Sequence, residues 1–354
     1  MKIVKHIYED NEKYCNHNKL LSVKADISIS QSIRNLGKSY DAMRLAIKCL
    51  ENGKNIAWCR WDLNEMAIAY NEFSEKLDEF KYKPFSVKNS KIIGFVNMEN
   101  VVKLQFYAVK SAMSYKGSDI KLDWLIYDEF IPEMYDIKTR RDTEFNKFMS
   151  LYVTLKRDYQ KFRCLLISNC IDWFNGYTKG WKIYPFPSGE IRIYDRELLI
   201  DIDGKTVSAK TRVAFENVKP SHAMIQRVIK EQIIKGGEVS EIKSYLENET
   251  SIQYNLIGKC PNPNIPLEPI QFRRNKDYFS FRKYDGIYYF VKVKKRDTLP
   301  VYIFSLDNAQ PDEIREKQHG VIMEELINRS LCRFYDGHVY NNIIMGIWEL
   351  RKRI

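Results

Sequence analysis

With 354 residues the chain exceeds a usual single domain and has room for two separate cores, so two globular units and a connector are expected. Hydrophobic residues at 44% and aromatics at 13% are those of a folded protein; no stretch stays uncharged for the ~20 residues of a membrane-spanning helix, and Met1–Tyr14 mixes acids and bases, so no secretory or transit peptide is expected there. A formal charge of +11 makes a polyanion the expected partner, with nucleic acid leading, plainly solvated lysines as the alternative, and no membrane partner.

Over the first ~200 residues, short apolar runs alternate with longer amphipathic stretches. Lys24–Ser30 reads as a strand, Ser39–Asn52 as a helix, Asn55–Arg60 as a strand and Leu63–Lys81 as a helix. Trp124–Tyr127 and Arg163–Ser168 are short, apolar and bounded by polar residues, as strands covered on both faces are. This is a βαβ pattern and predicts an α/β fold with a parallel sheet of at least five strands. Composition turns polar after Asp201, with a helix over Ala223–Ile234 that stops at Gly236-Gly237; the proline-rich run Cys260–Pro266 excludes helix or central strand. That region is expected to be a connector or lid. Tyr278–Tyr284 and Ile287–Lys294 alternate around Asp285-Gly286 and predict a hairpin, Pro300–Ser305 extends its sheet, and Asp312–Asn328 and Val339–Lys352 read as amphipathic helices. The expected division is 1–200 for the first domain, 201–253 for a linker or lid, and 254–354 for a small C-terminal α/β domain. Seven scattered cysteines, with no C-x-x-C pair and no histidine at ligand spacing, predict reduced thiols and no zinc site.

Three stretches carry chemistry. Ser32-Ile33-Arg34-Asn35-Leu36-Gly37-Lys38-Ser39 follows a predicted strand and opens a predicted helix, the context of a phosphate-cradling loop. There, backbone N–H groups and the helix terminus face an anion, Lys38 reaches the β/γ oxygens of ATP, and Ser39 ligates Mg²⁺. Ser32 stands where that motif has its first glycine, so the match rests on Gly37-Lys38-Ser39, and an ordinary helix N-terminus is the alternative. Leu125-Ile126-Tyr127-Asp128-Glu129 is an apolar strand ending in two carboxylates: Asp128 is the candidate metal ligand, with Ser39, and Glu129 the candidate base for an attacking water. Helix capping is the plainer reading of the pair. Arg163–Ile167 ends in Ser168-Asn169, where Asn169 is a candidate contact for the γ-phosphate or simply a turn former.

In order and spacing, the loop, the Leu-Ile-Tyr-Asp-Glu-Phe run, the Arg-Cys-Leu-Leu-Ile-Ser-Asn run and the C-terminal stretch from Cys332-Arg333-Phe334-Tyr335 through Glu349–Ile354 resemble the DNA-packaging ATPases of φ29-like phages. The resemblance is weakest over Asp201–Asn275. It implies a RecA-like ATPase domain of the additional-strand, catalytic-glutamate class, a linker, and a C-terminal domain of vestigial RNase H-like nuclease type. It implies a homopentameric ring at the portal of a prohead in the host cytoplasm, moving double-stranded DNA inward with ATP and Mg²⁺. A structural packaging RNA between motor and portal belongs to part of the family. By residue, Arg34, Asn35, Gly37, Lys38 and Ser39 match the phosphate loop, Asn35 where the family has glycine. Asp128 and Glu129 match the metal-binding and catalytic acids, and Arg157 the trans-acting arginine finger. Arg140, Arg141, Lys156 and Arg163 are rivals for that role. Lys110 resembles a lysine of inter-subunit coordination and is the candidate DNA contact of the first domain.

The predicted hairpin strand Tyr278–Tyr284 contains no acid and Asp285 belongs to its turn, so two-metal DNA cleavage is not expected. Lys292, Lys294, Lys295, Arg296 and the terminal Arg351-Lys352-Arg353 are instead candidates for sequence-independent phosphate contacts, or solvating residues on an edge strand. Another RecA-like motor, such as a helicase, and a degenerate, non-hydrolysing DNA-binding protein are the other readings of the residues.

Overall fold

The computed structural model describes residues 2–86, 93–115, 121–131, 144–156, 161–169, 176–181, 183, 186, 188–202, 205–236, 259–274, 276–303, 313–315, 332–335, 339 and 343. The chain divides into two units, Met1–Gly180 with Pro187–Leu246, and Trp181–Phe186 with Glu247–Ile354.

The first unit is built on β1 (Lys2–Lys5), β2 (Ile27–Ser32), β3 (Ile56–Arg60), β4 (Tyr82–Ser86), β5 (Ile93–Asn97), β6 (Val102–Ala108), β7 (Trp124–Asp128), β8 (Arg163–Asn169), β9 (Glu190–Ile202) and β10 (Lys205–Asn217). These form a 10-stranded sheet in the order β1-β9-β10-β2-β8-β7-β3-β6-β5-β4. Its centre, from β10 to β6, is parallel, and antiparallel strands extend both edges. Among the described residues four longer helices pack with it: α1 (Lys38–Glu51), α2 (Leu63–Ser74), α3 (Glu144–Lys156) and α4 (His222–Ile234).

Alternation along β7 shows how the sheet is covered. Ile126 points into a core with Ala42, Ala46 and Leu50 of α1 and Met66, Ala69 and Phe73 of α2. Tyr127, facing the other way, stacks on Phe148 of α3 at 5.7 Å, with Phe130 and Tyr177 at 6.4 Å. Helices therefore lie on both faces, and the central strands read as unbroken apolar runs because neither face meets water. α2 begins where expected because the Asp62 carboxylate accepts from the N–H groups of Asn64 and Glu65, while Glu65 accepts from Trp61 N at 3.1 Å. It ends at Ser74, short of the predicted Lys81, because Asp78 turns the chain by accepting from Phe80 N at 2.9 Å.

The expected boundary at residue 200 falls inside β9. The stretch predicted as linker, 201–253, instead contributes β10 and α4 to the first unit, because β10 pairs in parallel with β2 from Val213↔Ile27 to Asn217↔Gln31. β4, β5 and β6 were not predicted.

In the second unit, β11 (Gln271–Arg274), β12 (Asp277–Tyr284), β13 (Ile287–Val293), β14 (Val301–Ile303), β15 (Glu313–Arg315) and β16 (Cys332–Phe334) form a 6-stranded sheet in the order β15-β14-β11-β12-β13-β16. β11, β12 and β13 make an antiparallel meander, and β14 and β15 follow in parallel on its other side. The β12–β13 hairpin turns at Asp285 (φ 48) and Gly286 (φ 73), both left-handed, as a type I′ turn requires. Phe272, Phe279, Phe290 and Phe334 are buried on one face. Glu313–Arg315, predicted to begin a helix, pairs instead with β14; the rest of Asp312–Asn328 lies outside the described residues. Of Val339–Lys352, Val339 and Ile343 are described, and both are helical and buried.

Candidate functional site

Parallel strands bring their carboxyl ends to one edge of a sheet, and ligands of open α/β folds bind there. At that edge β2 ends in Ser32, β8 in Asn169, β7 in Asp128 and β3 in Arg60. One strand, β8, separates the loop-bearing β2 from the acid-bearing β7.

Between Ser32 and α1 the chain turns tightly, with Asn35 at φ 61 and Gly37 at φ 88, the latter capping the helix. Glycine meets this conformation without strain; asparagine is among the few other residues that tolerate it. A Cβ at Gly37 would lie 2.9 Å from Tyr14 Cδ1, so both backbone angle and space require glycine there. Lys38 is buried at 5% exposure, and its Nζ donates to Ser32 Oγ at 2.6 Å, Ile33 O at 2.8 Å and Asn169 Oδ1 at 3.3 Å. Ser32 thus supplies a side-chain acceptor where glycine has none. Arg34 lies half-buried on the same loop.

Ser39 Oγ donates to Asp128 Oδ1 at 2.8 Å. The other oxygen of Asp128, Oδ2, lies 2.5 Å from Arg60 Nη2, and Glu129 Oε2 lies 2.7 Å from Arg60 Nη1. Glu129 leaves the strand at φ 55, a left-handed angle unusual for a side chain of its kind and common at functional sites. Its carboxylate is half-exposed while that of Asp128 is fully buried. Burial pushes the Asp128 carboxyl above its ordinary range; Arg60 and the Ser39 hydrogen bond pull the other way without cancelling it. Burial likewise opposes the charge on Arg60, but Asp128 and Glu129 outweigh it and hold the guanidinium still more firmly protonated. Ser168, at the end of β8, exchanges hydrogen bonds with the backbone of Ile131 at 3.3 and 3.4 Å, fixing the chain just beyond the two acids.

Magnesium fits this donor set. It favours hard oxygen ligands and is held by one or two carboxylates together with substrate phosphates and water. Ser39 and Asp128 supply one hydroxyl and one carboxylate, and among the described residues no group of three or more His, Cys, Asp or Glu could cage a metal alone.

The structure brings together Gly37, Lys38, Ser39, Asp128, Glu129 and Asn169, with Arg34 and Asn35 on the adjoining loop. Arg60 completes the cluster and was not predicted; the signal available was a basic residue ending a strand that neighbours the acidic one. Lys110 is exposed just past β6, its N–H donating to Trp61 O at 2.9 Å, near the same edge. Arg157, Arg140, Arg141 and Arg351 lie outside the described residues. Lys156 lies 3.6 Å from Asp26, which precedes β2, and Arg163 opens β8; both are at the sheet edge opposite Lys38. In the second unit, Lys292 lies 2.5 Å from Asp277 and Lys294 is exposed.

A parallel sheet in which one strand separates the strand that opens the Ser32–Ser39 loop from the acidic strand defines an α/β fold of RecA-like type. A profile of the family described as Podovirus DNA encapsidation protein (Gp16) matches residues 9–240, and the chain belongs to that family. The DNA packaging proteins of Bacillus phages PZA and phi29 are each 23% identical to it over 210 residues, 57% of this chain; the chain spans 60% of the length of these curated relatives. Among solved structures, the Phi-28 gp11 DNA packaging motor has a TM-score of 0.53 at 15% identity, covering 96% of this chain and 98% of that one. The bacteriophage Phi-29 viral genome packaging motor assembly has a TM-score of 0.56 at 14% identity, covering 95% and 99%. At these identities the likeness is one of fold. Among the described residues no helix is long and apolar enough to cross a membrane.

Proposed function

We propose that this chain is the ATP-hydrolysing subunit of a phage motor that packages double-stranded DNA. The observation that carries the reading is the buried Lys38, anchored between Ser32, Ile33 and Asn169 beside the Ser39–Asp128 contact.

Lys38 binds the β/γ oxygens of ATP. Ser39 and Asp128 would hold Mg²⁺, which would supply charge neutralisation on the phosphates when bound. Glu129, half-exposed and one residue beyond the buried Asp128, orients the water that attacks the γ-phosphorus and takes its proton. Arg60, paired with both carboxylates, keeps them aimed at this edge. Asn169, whose side-chain oxygen accepts from Lys38, senses the γ-phosphate and passes its loss to β8.

Subunits assemble as a homopentameric ring on the portal of the prohead, in the host cytoplasm, with a structural packaging RNA as a further possible element of the vertex. Arg157 is the candidate arginine finger, serving a neighbouring subunit's nucleotide, with Lys156 and Arg163, on the sheet edge opposite Lys38, as its rivals. The second unit, whose meander followed by parallel strands supports a vestigial RNase H-like domain, tracks DNA phosphates through Lys292, Lys294 and Arg351, with Lys110 contributing from the first unit. No nuclease activity is proposed, since β11 and β12 carry a single acid, Asp277, engaged with Lys292.

The test is ATP hydrolysis by the purified chain, with and without duplex DNA at two salt concentrations. Hydrolysis stimulated by duplex at low salt and lost in both Lys38→Ala and Glu129→Gln is expected. Hydrolysis that survives Lys38→Ala would sink this assignment of the site.

A further inference from the structure

We infer that Arg227, on α4, is a positioning residue that holds the phosphate loop in its anion-receiving shape, replacing the backbone freedom lost where asparagine stands for glycine at position 35. The inference rests on the nucleotide-binding reading of that loop.

Asn35 adopts φ 61 and Gly37 φ 88. Between them, every carbonyl that could turn inward is held by a donor from outside the loop. Arg227 Nη2 donates to Asn35 O, and Cys15 N donates to Leu36 O at 2.8 Å. A peptide unit is planar and trans and points its C=O and N–H in opposite directions. Fixing the carbonyls of Asn35 and Leu36 on the outside therefore turns the N–H groups of Leu36 and Gly37 inward, where a phosphate needs them.

The guanidinium is itself firmly placed. Its Nε donates to Lys13 O at 3.1 Å, its Nη1 pairs with Glu231 one turn along α4, and its plane lies 4.5 Å from the ring centre of Tyr14. Tyr14 in turn occupies the space over Gly37. Beneath, Ile33 and Leu36 of the loop pack with Tyr8, Cys15, Val218, Met224 and Val228, so the N-terminal segment and α4 grip the loop from outside the sheet. Ser221 caps α4 and donates to Glu12 O at 2.5 Å, while Ala223 N donates to Asp10 O, tying the two gripping segments together. Of these contacts, only the one from Arg227 reaches the carbonyl of the non-glycine residue in the left-handed conformation.

The experiment titrates a fluorescent ADP analogue, with Mg²⁺, into the full-length chain and its Arg227→Ala, Asn35→Gly and doubly substituted variants. Arg227→Ala is expected to weaken binding roughly tenfold, the scale of one charge-assisted hydrogen bond. Measured against Asn35→Gly alone, the doubly substituted variant should lose little affinity, because glycine takes the left-handed angle without the clamp. A merely structural role for Arg227 would not be rescued by a change in the loop. Unchanged binding in Arg227→Ala, or loss that Asn35→Gly fails to recover, overturns the proposal. Should Arg227→Ala fail to fold, Arg227→Lys carries the comparison: weaker binding restored by Asn35→Gly supports the clamp, and unaltered binding overturns it. Wild-type binding abolished by Lys38→Ala but untouched by Arg227→Ala defeats the clamp alone, whereas a wild-type chain that binds no analogue defeats the nucleotide reading as well.

Discussion

Replacing Arg60 with alanine tests the electrostatics of the acidic edge. The Arg60 side chain is 12% exposed and that of Asp128 2%, so their contact at 2.5 Å is a buried ion pair. Removing one partner of such a pair leaves an uncompensated charge and costs about 3 kcal/mol or somewhat more. The contact with Glu129 is discounted because that carboxylate is 48% exposed, and it adds less than about 1 kcal/mol. For a unit of this size each kcal/mol lowers Tm by about 2–4 °C, so Arg60→Ala should melt about 6–12 °C below wild type at pH 7 in EDTA. The pH dependence has a definite sign. Burial already holds the Asp128 carboxyl above its ordinary range, and losing Arg60 raises it further. A group with a raised folded-state value contributes stability that is complete below the ordinary carboxylate range and lost as pH rises through the folded value. The deficit of Arg60→Ala should therefore be largest near neutrality and shrink towards pH 4. Differential scanning calorimetry at both pH values measures it. Equal melting temperatures at pH 7, or a deficit that grows on acidification, would refute the assignment of Arg60 as the counter-charge of Asp128.

Gly37→Ala should lower stability by about 1–2 kcal/mol and weaken nucleotide binding, since it meets both a left-handed angle and Tyr14 at 2.9 Å; Gly53→Ala, at φ 75 with nothing within 4 Å, should cost less in the same melts. Asp41 accepts from His17 N at 2.9 Å and contacts His17 Nδ1 at 2.8 Å, and although burial opposes its charge these bonds hold its carboxyl below the ordinary range. Its stabilisation is therefore present above that range and lost as pH falls through the lowered value, so Asp41→Asn should be destabilising in neutral denaturant titrations and nearly neutral below about pH 3. Lys294→Ala should weaken duplex binding equally for unrelated sequences and reduce the logarithmic salt slope by about 1, with Lys292→Ala doing less because Asp277 already occupies that lysine; an unchanged slope would remove Lys294 from the DNA surface.

Much of the candidate site's clustering was legible because its signals are local. Gly37-Lys38-Ser39 lies between an apolar strand and an amphipathic helix, and Asp128-Glu129 ends an apolar run, so each motif sits within a few residues of the element that presents it. Arg60 was hidden because its meaning depends on β3 pairing with β7, a register between segments more than sixty residues apart that no local pattern encodes. The hydroxyl of Ser32 counted against the motif when read as a missing glycine, yet it accepts from Lys38, a contact visible only in three dimensions.

The domain boundary was misplaced for a related reason. The polar stretch Thr206–Leu246 suggested a connector, although Asp203-Gly204 between two β-rich runs is itself a hairpin signal. Burial of Val213, Ala214 and Phe215 beside β2 decides that the strand belongs to the sheet. α4 follows it, and Met224 and Val228 turn inward onto Ile33 and Leu36 of the loop after β2 instead of into a separate lid.

The most direct test of the account is ATP-driven movement of intact duplex DNA by the purified chain assembled on its cognate proheads, read as full-length double-stranded DNA protected from added nuclease. The account predicts protection that requires hydrolysable ATP and disappears with Lys38→Ala or Glu129→Gln. Hydrolysis accompanied by strand separation, or by no protected duplex on active proheads, would contradict it.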